Sequence, residues 1–381
     1  MPSTKEPLIS PSEFIGLENI VHLGVGGEAP MLKSHRDAVE RFFADKALGE
    51  KGREREDETV YRCKEKVARL LKVKAEEIAF LSSSSEGINL LVYGLPWKSG
   101  DNVVVCDVEF PSETLPWTRL QRKGVEIRIV RHRSWYIDLQ DIERAIDSRT
   151  RLVVVSDVSY FTGQRLKIKE LSGIVRKSGS LLCVDATHSA GAVSVEAGYA
   201  DILIASCYKW LLAVHGTAIF YWNRDRLPDL EVPFLGWHSG VSIPDWQTPT
   251  QFVLRKGADR FEPGNVSFIS IYILENALDR ILKIGLPVIE ERVLALSGLA
   301  RQGLKRLGLE LMTPENPLER AGNVCFMTSR IGEITDALAE RGVVVWGGYA
   351  GVGRIRISTH LYNTEEDVDR LISAVQEIPR S

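Results

Sequence analysis

Short runs of apolar and β-branched residues alternate with amphipathic stretches through the middle of the chain. Two of these runs, 151–155 and 180–184, are apolar almost throughout, which is typical of strands covered on both faces by helices in a parallel sheet. The pattern therefore predicts a doubly wound α/β domain with helices between the strands. The strands are expected at 78–81, 102–106, 125–130, 151–155, 180–184, 201–205 and 217–222.

The pattern of apolar runs and amphipathic stretches changes after about residue 286, and the new pattern predicts a small α+β domain. The expected elements are a helix at 287–307, a strand at 323–327, a helix at 331–341, strands at 342–346 and 354–358, and a helix from Thr364. We divide the chain into a large domain, residues 17–285, and a small domain, residues 1–16 and 286–381. The charged segment 49–58 is predicted to be an exposed connection or an interfacial loop.

Composition excludes several classes of protein. The 381 residues are 44% hydrophobic and 26% charged, close to an average globular protein. With 48 basic and 51 acidic residues and a net charge of −3, the chain has no global positive field for nucleic acid or an anionic membrane. It has no apolar run of roughly 20 residues, and we expect no secretory signal. The five cysteines form no C-x-x-C pair, so we expect a reduced, cytoplasmic protein with no zinc site.

Polar side chains follow five of the predicted strands. Because ligands of open parallel sheets gather beyond the carboxyl ends of the strands, these positions are the first candidates for chemistry. They are Ser82–Ser85, Asp107 to Phe110, Ser156 to Tyr160, Asp185 to His188, and Ser206 to Lys209.

Three of these features have both an ordinary and a chemical interpretation. Ser84 and Ser85 open a helix, where they can cap it or bind a phosphate with the free N–H groups. Lys209 follows an apolar strand, where it can be a surface lysine or a desolvated nucleophile that forms a Schiff base. Asp185 ends an apolar strand, where it can be a cap or a buried carboxylate that requires a cationic partner.

Taken together, the three features match the requirements of a pyridoxal 5′-phosphate site. The serines provide a phosphate cradle, and the lysine amine can hold the cofactor aldehyde as an imine. The aspartate keeps the pyridine nitrogen protonated, so that the ring can accept electrons from the substrate Cα.

At these residues the chain resembles the aminotransferase class V family of fold-type I pyridoxal-phosphate enzymes. The resemblance rests on Asp185-Ala-Thr-His188-Ser-Ala-Gly and, twenty-four residues after Asp185, on Lys209 in Ala-Ser-Cys-Tyr-Lys-Trp. It extends from about Ile20 to Leu371. The family includes cysteine desulfurases, isopenicillin N epimerase-like proteins and kynureninases. The resemblance implies a large domain with a mostly parallel seven-stranded sheet, and a homodimer with its active site at the subunit interface.

The resemblance also implies the roles of individual residues toward the cofactor. Lys209 is implied to form the imine and to act as the general acid and base at Cα, and Asp185 to bind the pyridinium nitrogen. His188 is implied to contact the phenolic oxygen, and Phe110 to stack on the ring. The implied phosphate contacts are Ser84, Ser85, Ser206, Tyr208 and, from the neighbouring subunit, Asn265.

On the substrate side, Arg354-Ile-Arg356-Ile-Ser resembles the stretch that supplies the family's carboxylate-binding arginine. We assign that role to Arg356, whose guanidinium fork can grip a carboxylate through two hydrogen bonds. Gly26 is implied to approach the substrate. Tyr160 stands where the family often has asparagine, so the family's usual second contact to the substrate or cofactor is expected to differ here. Trp237, together with His238 and Trp346, is expected to line the pocket and to give it apolar bulk. Core packing is the ordinary alternative for a tryptophan.

The resemblance implies an enzyme that acts on a small-molecule α-amino acid through an external aldimine and a Cα carbanion. An aminotransferase or a carbon–sulfur β-elimination lyase is the preferred reaction, and an isopenicillin N epimerase-like racemase or epimerase is the alternative. Cysteine desulfurases carry a nucleophilic cysteine in the loop before the arginine. Residues 346–353 contain none, and Cys325 lies in a predicted strand, so desulfuration is disfavoured.

Three other functions are alternatives to a pyridoxal-phosphate enzyme: a serine hydrolase, a cofactor sensor and a dinucleotide-binding protein. Ser206-Cys-Tyr-Lys209 has the S-x-x-K spacing of serine acyl-enzyme hydrolases, but no S-D-N or K-T-G companion is present. A non-catalytic pyridoxal-phosphate sensor would leave the Asp, Lys and Arg set without purpose. Residues 24–29 imitate a dinucleotide-binding fingerprint, but Pro30 follows at once and the next clear strand begins only at Ile78, too far for a βαβ unit of roughly 30 residues.

Overall fold

The structure, a computed structural model, describes residues 4–349 and 351–379. The parts of the predicted small domain at residues 1–3, 350, 380 and 381 lie outside the described residues. The strands, in chain order, are β1 (Val21–His22), β2 (Ile78–Leu81), β3 (Asn102–Cys106), β4 (Glu126–Val130), β5 (Thr150–Ser156), β6 (Leu181–Asp185), β7 (Ile202–Ser206), β8 (Ala218–Trp222), β9 (Asn323–Met327), β10 (Val343–Val344), β11 (Trp346–Tyr349) and β12 (Val352–Ser358).

The α-helices of the described part are α1 (His35–Lys46), α2 (Glu50–Leu71), α3 (Ser84–Gly94), α4 (Pro111–Thr114), α5 (Leu139–Ala145), α6 (Ile168–Lys177), α7 (Phe268–Ile284), α8 (Leu286–Arg306), α9 (Ile331–Glu340) and α10 (Glu365–Glu377). None of these helices combines the length and the apolar character of a membrane-spanning segment.

A seven-stranded sheet forms the centre of the molecule, in the order β2-β8-β7-β6-β5-β3-β4. The neighbouring pairs among β3 to β7 are parallel, whereas β8 is antiparallel to both β7 and β2. Strand β2 therefore runs in the same direction as the parallel strands. As a result, the carboxyl ends of β2, β3, β5, β6 and β7 share one edge of the sheet. The predicted α/β class is confirmed, and every predicted strand of this sheet lies within one residue of its observed bounds.

The central strands are buried on both faces. Val153 and Val155 belong to the core on one face, and Leu152 and Val154 belong to the core on the other. All five residues of β3 and of β6 are buried. Since burying a valine or leucine side chain contributes roughly 1.5–3 kcal/mol, apolar residues are favoured at successive positions rather than at alternate ones.

The prediction of a loop at 49–58 is wrong, because these residues begin the 22-residue helix α2. A Cβ atom on Gly52 would lie 1.8 Å from the backbone oxygen of Asp45, so this glycine allows α1 and α2 to approach closely. Glu56 is buried and pairs with Arg53 at 3.6 Å. Glutamate, arginine and lysine favour helices. The contact face here is made of small and polar residues, so no apolar period marks the helix.

The C-terminal region contains the antiparallel sheet β11-β12-β9, which shares a hydrophobic core with α8, α9 and α10. The single strand predicted at 342–346 is wrong, because β10 pairs with β1 in parallel while β11 pairs with β12. The chain therefore changes its pairing strand between β10 and β11, at residue 345. Gly24 also bridges Ser358, so residues 21–24 add backbone pairing to this region. The division into residues 17–285 and residues 1–16 with 286–381 stays a proposal.

Candidate active site

Lys209 lies just beyond β7 and is almost completely buried, with 8% of its surface exposed. Its Nζ lies 3.2 Å from His188 Nε2 and over the rings of Phe110 and Tyr208, at 5.7 and 5.3 Å from the centroids. Burial, reinforced by the positive charge of Arg356, lowers the pKa of Lys209 to about 8. A substantial fraction of the amine is therefore neutral in mildly alkaline solution, as nucleophilic attack on an aldehyde requires.

His188 is held by three hydrogen-bonding neighbours. Besides Lys209 at its Nε2, the ring receives at Nδ1 the indole N–H of Trp210 at 3.3 Å and the side-chain amide of Asn323 at 3.0 Å. Burial and the nearby charges of Lys209 and Arg356 hold the pKa of His188 well below its usual value. The imidazole is therefore neutral at physiological pH. Asn323 was not among the residues predicted from the sequence.

Asp185, the last residue of β6, is buried and accepts a hydrogen bond from the backbone N–H of Thr187 at 2.7 Å. The side chain of Glu113 is completely buried and lies near the negative charge of Asp185. Burial and the negative charge of Asp185 raise the pKa of Glu113 well above its usual value. The raised pKa favours the neutral, protonated form of Glu113 beside the charged Asp185. Sequence reasoning missed Glu113, although it stands only three residues after Phe110.

A group of hydroxyls lies at the N-terminus of α3. Ser84 Oγ lies 2.5 Å from Ser206 Oγ and 3.3 Å from Thr187 Oγ1, and Ser85 bonds to Ser112 at 2.7 Å. The helix is capped by Ser83, whose side chain accepts a hydrogen bond from the N–H of Glu86 at 3.3 Å. Since the cap is provided by another residue, Ser84 and Ser85 are available to bind an anion at the positive end of the helix.

Arg356 is buried and donates a hydrogen bond to the backbone oxygen of Tyr160 at 2.9 Å. Arg354 donates to the same oxygen, as expected for two residues on one face of a strand. Burial and the charge of Arg354 lower the pKa of Arg356 to about 9. Within residues 4–349 and 351–379, neither guanidinium has a carboxylate within 4.0 Å. The pair is therefore suited to receive an anionic group from a ligand.

Two glycines allow close approach beside Arg356. A Cβ atom on Gly26 would lie 2.6 Å from Ser358 Oγ and 2.9 Å from Arg356 Nε. A Cβ atom on Gly27 would lie 2.0 Å from the ring of Trp346. The preceding strand β1 has only two residues and pairs with β10, which agrees with the rejection of a dinucleotide-binding unit.

Tyr160 lies inside the site, whereas two other predicted residues lie at the surface. The Tyr160 ring is buried and lies 5.2 Å from the Phe110 ring in an edge-to-face arrangement. Trp237 is half exposed and lines a surface pocket with Leu235 and Phe252. Asn265 is also exposed. Neither has a described contact with Lys209 in this chain, so their predicted roles stay predictions.

The S-x-x-K interpretation does not fit the observed hydrogen bonds. Ser206 bonds through its hydroxyl to Ser84 and through its N–H to Thr187, while Lys209 bonds to His188. A serine acyl-enzyme requires its base within hydrogen-bond reach of the nucleophilic hydroxyl. No Ser206–Lys209 hydrogen bond is found among the described residues.

This fold and this arrangement of lysine, aspartate and anion-binding groups define a pyridoxal-phosphate-dependent enzyme of fold type I. The chain belongs to the aminotransferase class-V family, whose model matches residues 49–371. Pyridoxal phosphate is the cofactor of this family, as the resemblance at Asp185 and Lys209 implied.

Individual relatives agree with this assignment. The chain is 30% identical over 343 residues to a probable cysteine desulfurase of Methanothermobacter thermautotrophicus, covering 83% of this chain and 82% of that protein. Its fold is similar to the apo structure of a cysteine desulfurase from Thermococcus onnurineus NA1, with a TM-score of 0.89, 24% identity and 99% of each chain covered. It is also similar to the cystine C-S lyase C-DES in complex with its reaction product cysteine persulfide, with a TM-score of 0.88, 19% identity, and 96% and 100% of the two chains covered.

Proposed function

We propose that the protein removes the Cα proton of an α-amino acid and carries out transamination or carbon–sulfur β-elimination. The observation that carries this proposal is the buried amine of Lys209, which has a lowered pKa and lies near His188, Asp185 and Arg356. Among the described residues, Arg356 has no carboxylate partner. This combination offers a nucleophile, a proton carrier and a carboxylate anchor within one site.

The residues present fit pyridoxal phosphate. The hydroxyls of Ser84, Ser85 and Ser206 at the N-terminus of α3 suit a phosphate, together with Tyr208. Asp185 is a buried carboxylate suited to a protonated ring nitrogen, and the Phe110 ring faces Lys209. When bound, pyridoxal phosphate supplies an electron sink for charge that develops at the substrate Cα.

The remaining residues orient the substrate and move its proton. Arg356 binds the substrate carboxylate through its guanidinium, and Gly26 leaves room for that carboxylate beside Arg356 Nε and Ser358. The amine of Lys209 takes the proton from Cα and can return it, since its lowered pKa of about 8 lies near the operating pH of an acid–base catalyst.

The cysteines support a lyase or a transaminase rather than a persulfide-forming desulfurase. All five thiols are free and buried. Cys325, on β9 beside Arg356, is completely buried, and burial raises the pKa of its thiol. A persulfide carrier must be an accessible thiolate. We therefore propose that this chain shares the family of the relatives named as desulfurases but not the reaction in their names. Free thiols also suit the cytoplasmic location that we propose.

The proposal is tested with purified holoprotein and a panel of amino acids and sulfur conjugates. We expect visible absorption from bound cofactor and exchange of the substrate Cα proton with deuterium from the solvent. Accumulation of pyridoxamine phosphate would identify transamination, and release of pyruvate and ammonia would identify elimination. Exchange with inversion but no product would instead identify an epimerase. Bound cofactor without exchange for any amino acid would overturn the proposal in favour of a sensor.

Replacing Arg356 is expected to weaken amino-acid binding selectively. R356A removes at least one charge-assisted hydrogen bond, worth about 1.5–3 kcal/mol, so KM should rise roughly 10- to 150-fold. R356K should rescue only part of this loss, because lysine keeps the charge but lacks the guanidinium fork. The control substrate is the primary amine that lacks the carboxylate. Its spectral titration should be unchanged in R356K, and an equal loss for amine and amino acid would contradict the assignment.

Replacing Cys325 tests the exclusion of desulfuration. We expect C325A to retain the exchange of the Cα proton and the release of product, because no step of the proposed reaction uses the thiol. Mass spectrometry of the wild-type protein after incubation with cysteine should show no added sulfur. A persulfide on any of the five cysteines, or loss of sulfur transfer in C325A, would restore the desulfurase interpretation.

We also propose a homodimer with the active site at the subunit interface. Asn265 is exposed, and an exposed apolar group lies on the preceding segment, comprising Phe234, Leu235, Trp237, Val241, Ile243, Trp246, Phe252 and Val253. Patches of this kind mark interaction surfaces. Sedimentation should give twice the mass of the 42.6-kDa chain. A W246E variant should shift the protein toward monomer, and a wild-type monomer at all concentrations would contradict the proposal.

A further inference from the structure

The hydrogen bonds of His188 determine which of its ring nitrogens carries the proton. The indole N–H of Trp210 can only donate, and it points at His188 Nδ1 from 3.3 Å. Nδ1 must therefore be the acceptor. A neutral imidazole has one donor and one acceptor, and His188 is neutral because burial lowers its pKa. Its proton consequently lies on Nε2, which faces Lys209 Nζ at 3.2 Å.

Asn323 provides a second donor to the same nitrogen, and its carbonyl oxygen is hydrogen-bonded to Ser358. The Asn323 side-chain amide lies 3.0 Å from His188 Nδ1, and its carbonyl oxygen accepts the hydroxyl of Ser358 at 2.8 Å. With the amide turned around, its oxygen would face the lone pair of Nδ1. In the observed orientation, the Asn323 amide, His188 Nδ1 and the Ser358 hydroxyl all have a hydrogen-bond partner.

The groups that hold His188 are themselves rigid. Ser358 and Asn323 are paired residues of β12 and β9, and both are completely buried. The N–H of Ser358 donates to the backbone oxygen of Leu23 at 2.8 Å. The Trp210 ring lies where a Cβ on Gly322 would be 2.3 Å away, so this glycine gives the ring its space. The charged groups that face the imidazole are Lys209, Arg356 and Arg354.

We propose that Trp210 and Asn323, the latter also hydrogen-bonded to Ser358, are positioning residues that keep the proton of His188 on Nε2. His188 then presents a donor to the neutral amine of Lys209, which has a lone pair to accept it, and to whatever electron-rich oxygen is bound beside that lysine. An N–H directed at the phenolic oxygen of the cofactor would stabilise its anionic form. This last consequence rests on the proposed function, whereas the protonation of His188 does not.

The isosteric substitutions N323D and N323L distinguish positioning from simple packing. A carboxylate at position 323 accepts hydrogen bonds only, so it should draw a proton onto Nδ1. Leucine removes the amide but leaves the Trp210 donor, so Nδ1 should stay unprotonated. Both variants remove the same amide, and a purely structural role would affect the imidazole equally in the two.

The measurement is ¹⁵N NMR of the apoprotein labelled in its seven histidines, with the His188 signal assigned by H188Q. We expect an unprotonated Nδ1 and a protonated Nε2 in the wild type and in N323L, and a protonated Nδ1 in N323D. If N323D does not fold, the comparison of N323L with the double variant N323L/W210F tests whether the two donors keep Nδ1 unprotonated. The double variant has lost both donors and should populate the other tautomer.

A protonated Nδ1 in the wild type, identical spectra for N323D and N323L, or an unchanged tautomer in the double variant would overturn the proposal. In the holoprotein, the pH midpoint of the cofactor absorption should shift in N323D and stay unchanged in N323L. If the wild type binds no cofactor, the proposed function fails, while the apoprotein spectra still decide the tautomer.

Discussion

The K209A variant is expected to lose the covalent attachment of the cofactor completely. The Nζ of Lys209 is the buried amine of this site whose pKa burial lowers to about 8, and it is the group that combines nucleophilicity with proximity to His188. Reduction of the wild-type holoprotein with borohydride should attach the cofactor mass to Lys209, and K209A should acquire none. Turnover should also fall by about 10²–10⁴-fold, the range attributed to a general acid–base group.

Lys64 offers a matched control for this experiment. It is as deeply buried as Lys209, with 8% of its surface exposed, but its amine pairs with Glu262 at 2.8 Å. K64A should keep the visible absorption and the reduced label on Lys209, even if it is less stable. An added small primary amine should restore part of the proton transfer in K209A. Labelling of another lysine in the wild type would refute the assignment.

The D185N variant is expected to bind the cofactor more weakly and to exchange the Cα proton far more slowly. The loss of one charge-assisted hydrogen bond costs about 1.5–3 kcal/mol, so the Kd of the cofactor should rise roughly 10- to 150-fold. Removing a group that stabilises charge in the transition state costs on the order of 10²–10³-fold in rate. Cofactor titration and deuterium exchange at Cα measure the two effects separately.

Asp157 provides the control for Asp185. It follows the neighbouring strand β5, it is buried, and its charge interacts with Arg165 rather than with Lys209. D157N should therefore leave Cα exchange by folded protein unchanged. In D185N, Glu113 loses the negative neighbour that raises its pKa, so that pKa should fall. Equal exchange rates in wild type and D185N would contradict the role of Asp185.

Much of the large domain was predictable because its strands carry their signal locally. Residues 102–106 and 181–185 are buried on both faces, and apolar side chains at successive positions are the direct consequence. The helix at 50–71 was missed because its first turns pack through Gly52 and Glu56. A polar contact face leaves no apolar period along the sequence.

The residues of the active site also fall into two groups, those that local sequence predicted and those that it did not. Asp185 and Lys209 were predictable because Asp185 ends one apolar strand and Lys209 lies three residues beyond the next, and parallel strands end at one edge of the sheet. Glu113, Asn323 and Ser358 were not predictable. Asn323 reaches His188 across 135 residues of sequence, on a strand of another sheet.

The sequence by itself therefore determined the fold class, the family and the residues that end its apolar strands, since these depend on local pattern and short motifs. The tertiary structure alone decided the protonation of that site. It places Glu113 against Asp185, and Trp210 and Asn323 against His188. Burial and hydrogen-bond partners determine the pKa of a side chain, and both are defined only after distant segments have packed together.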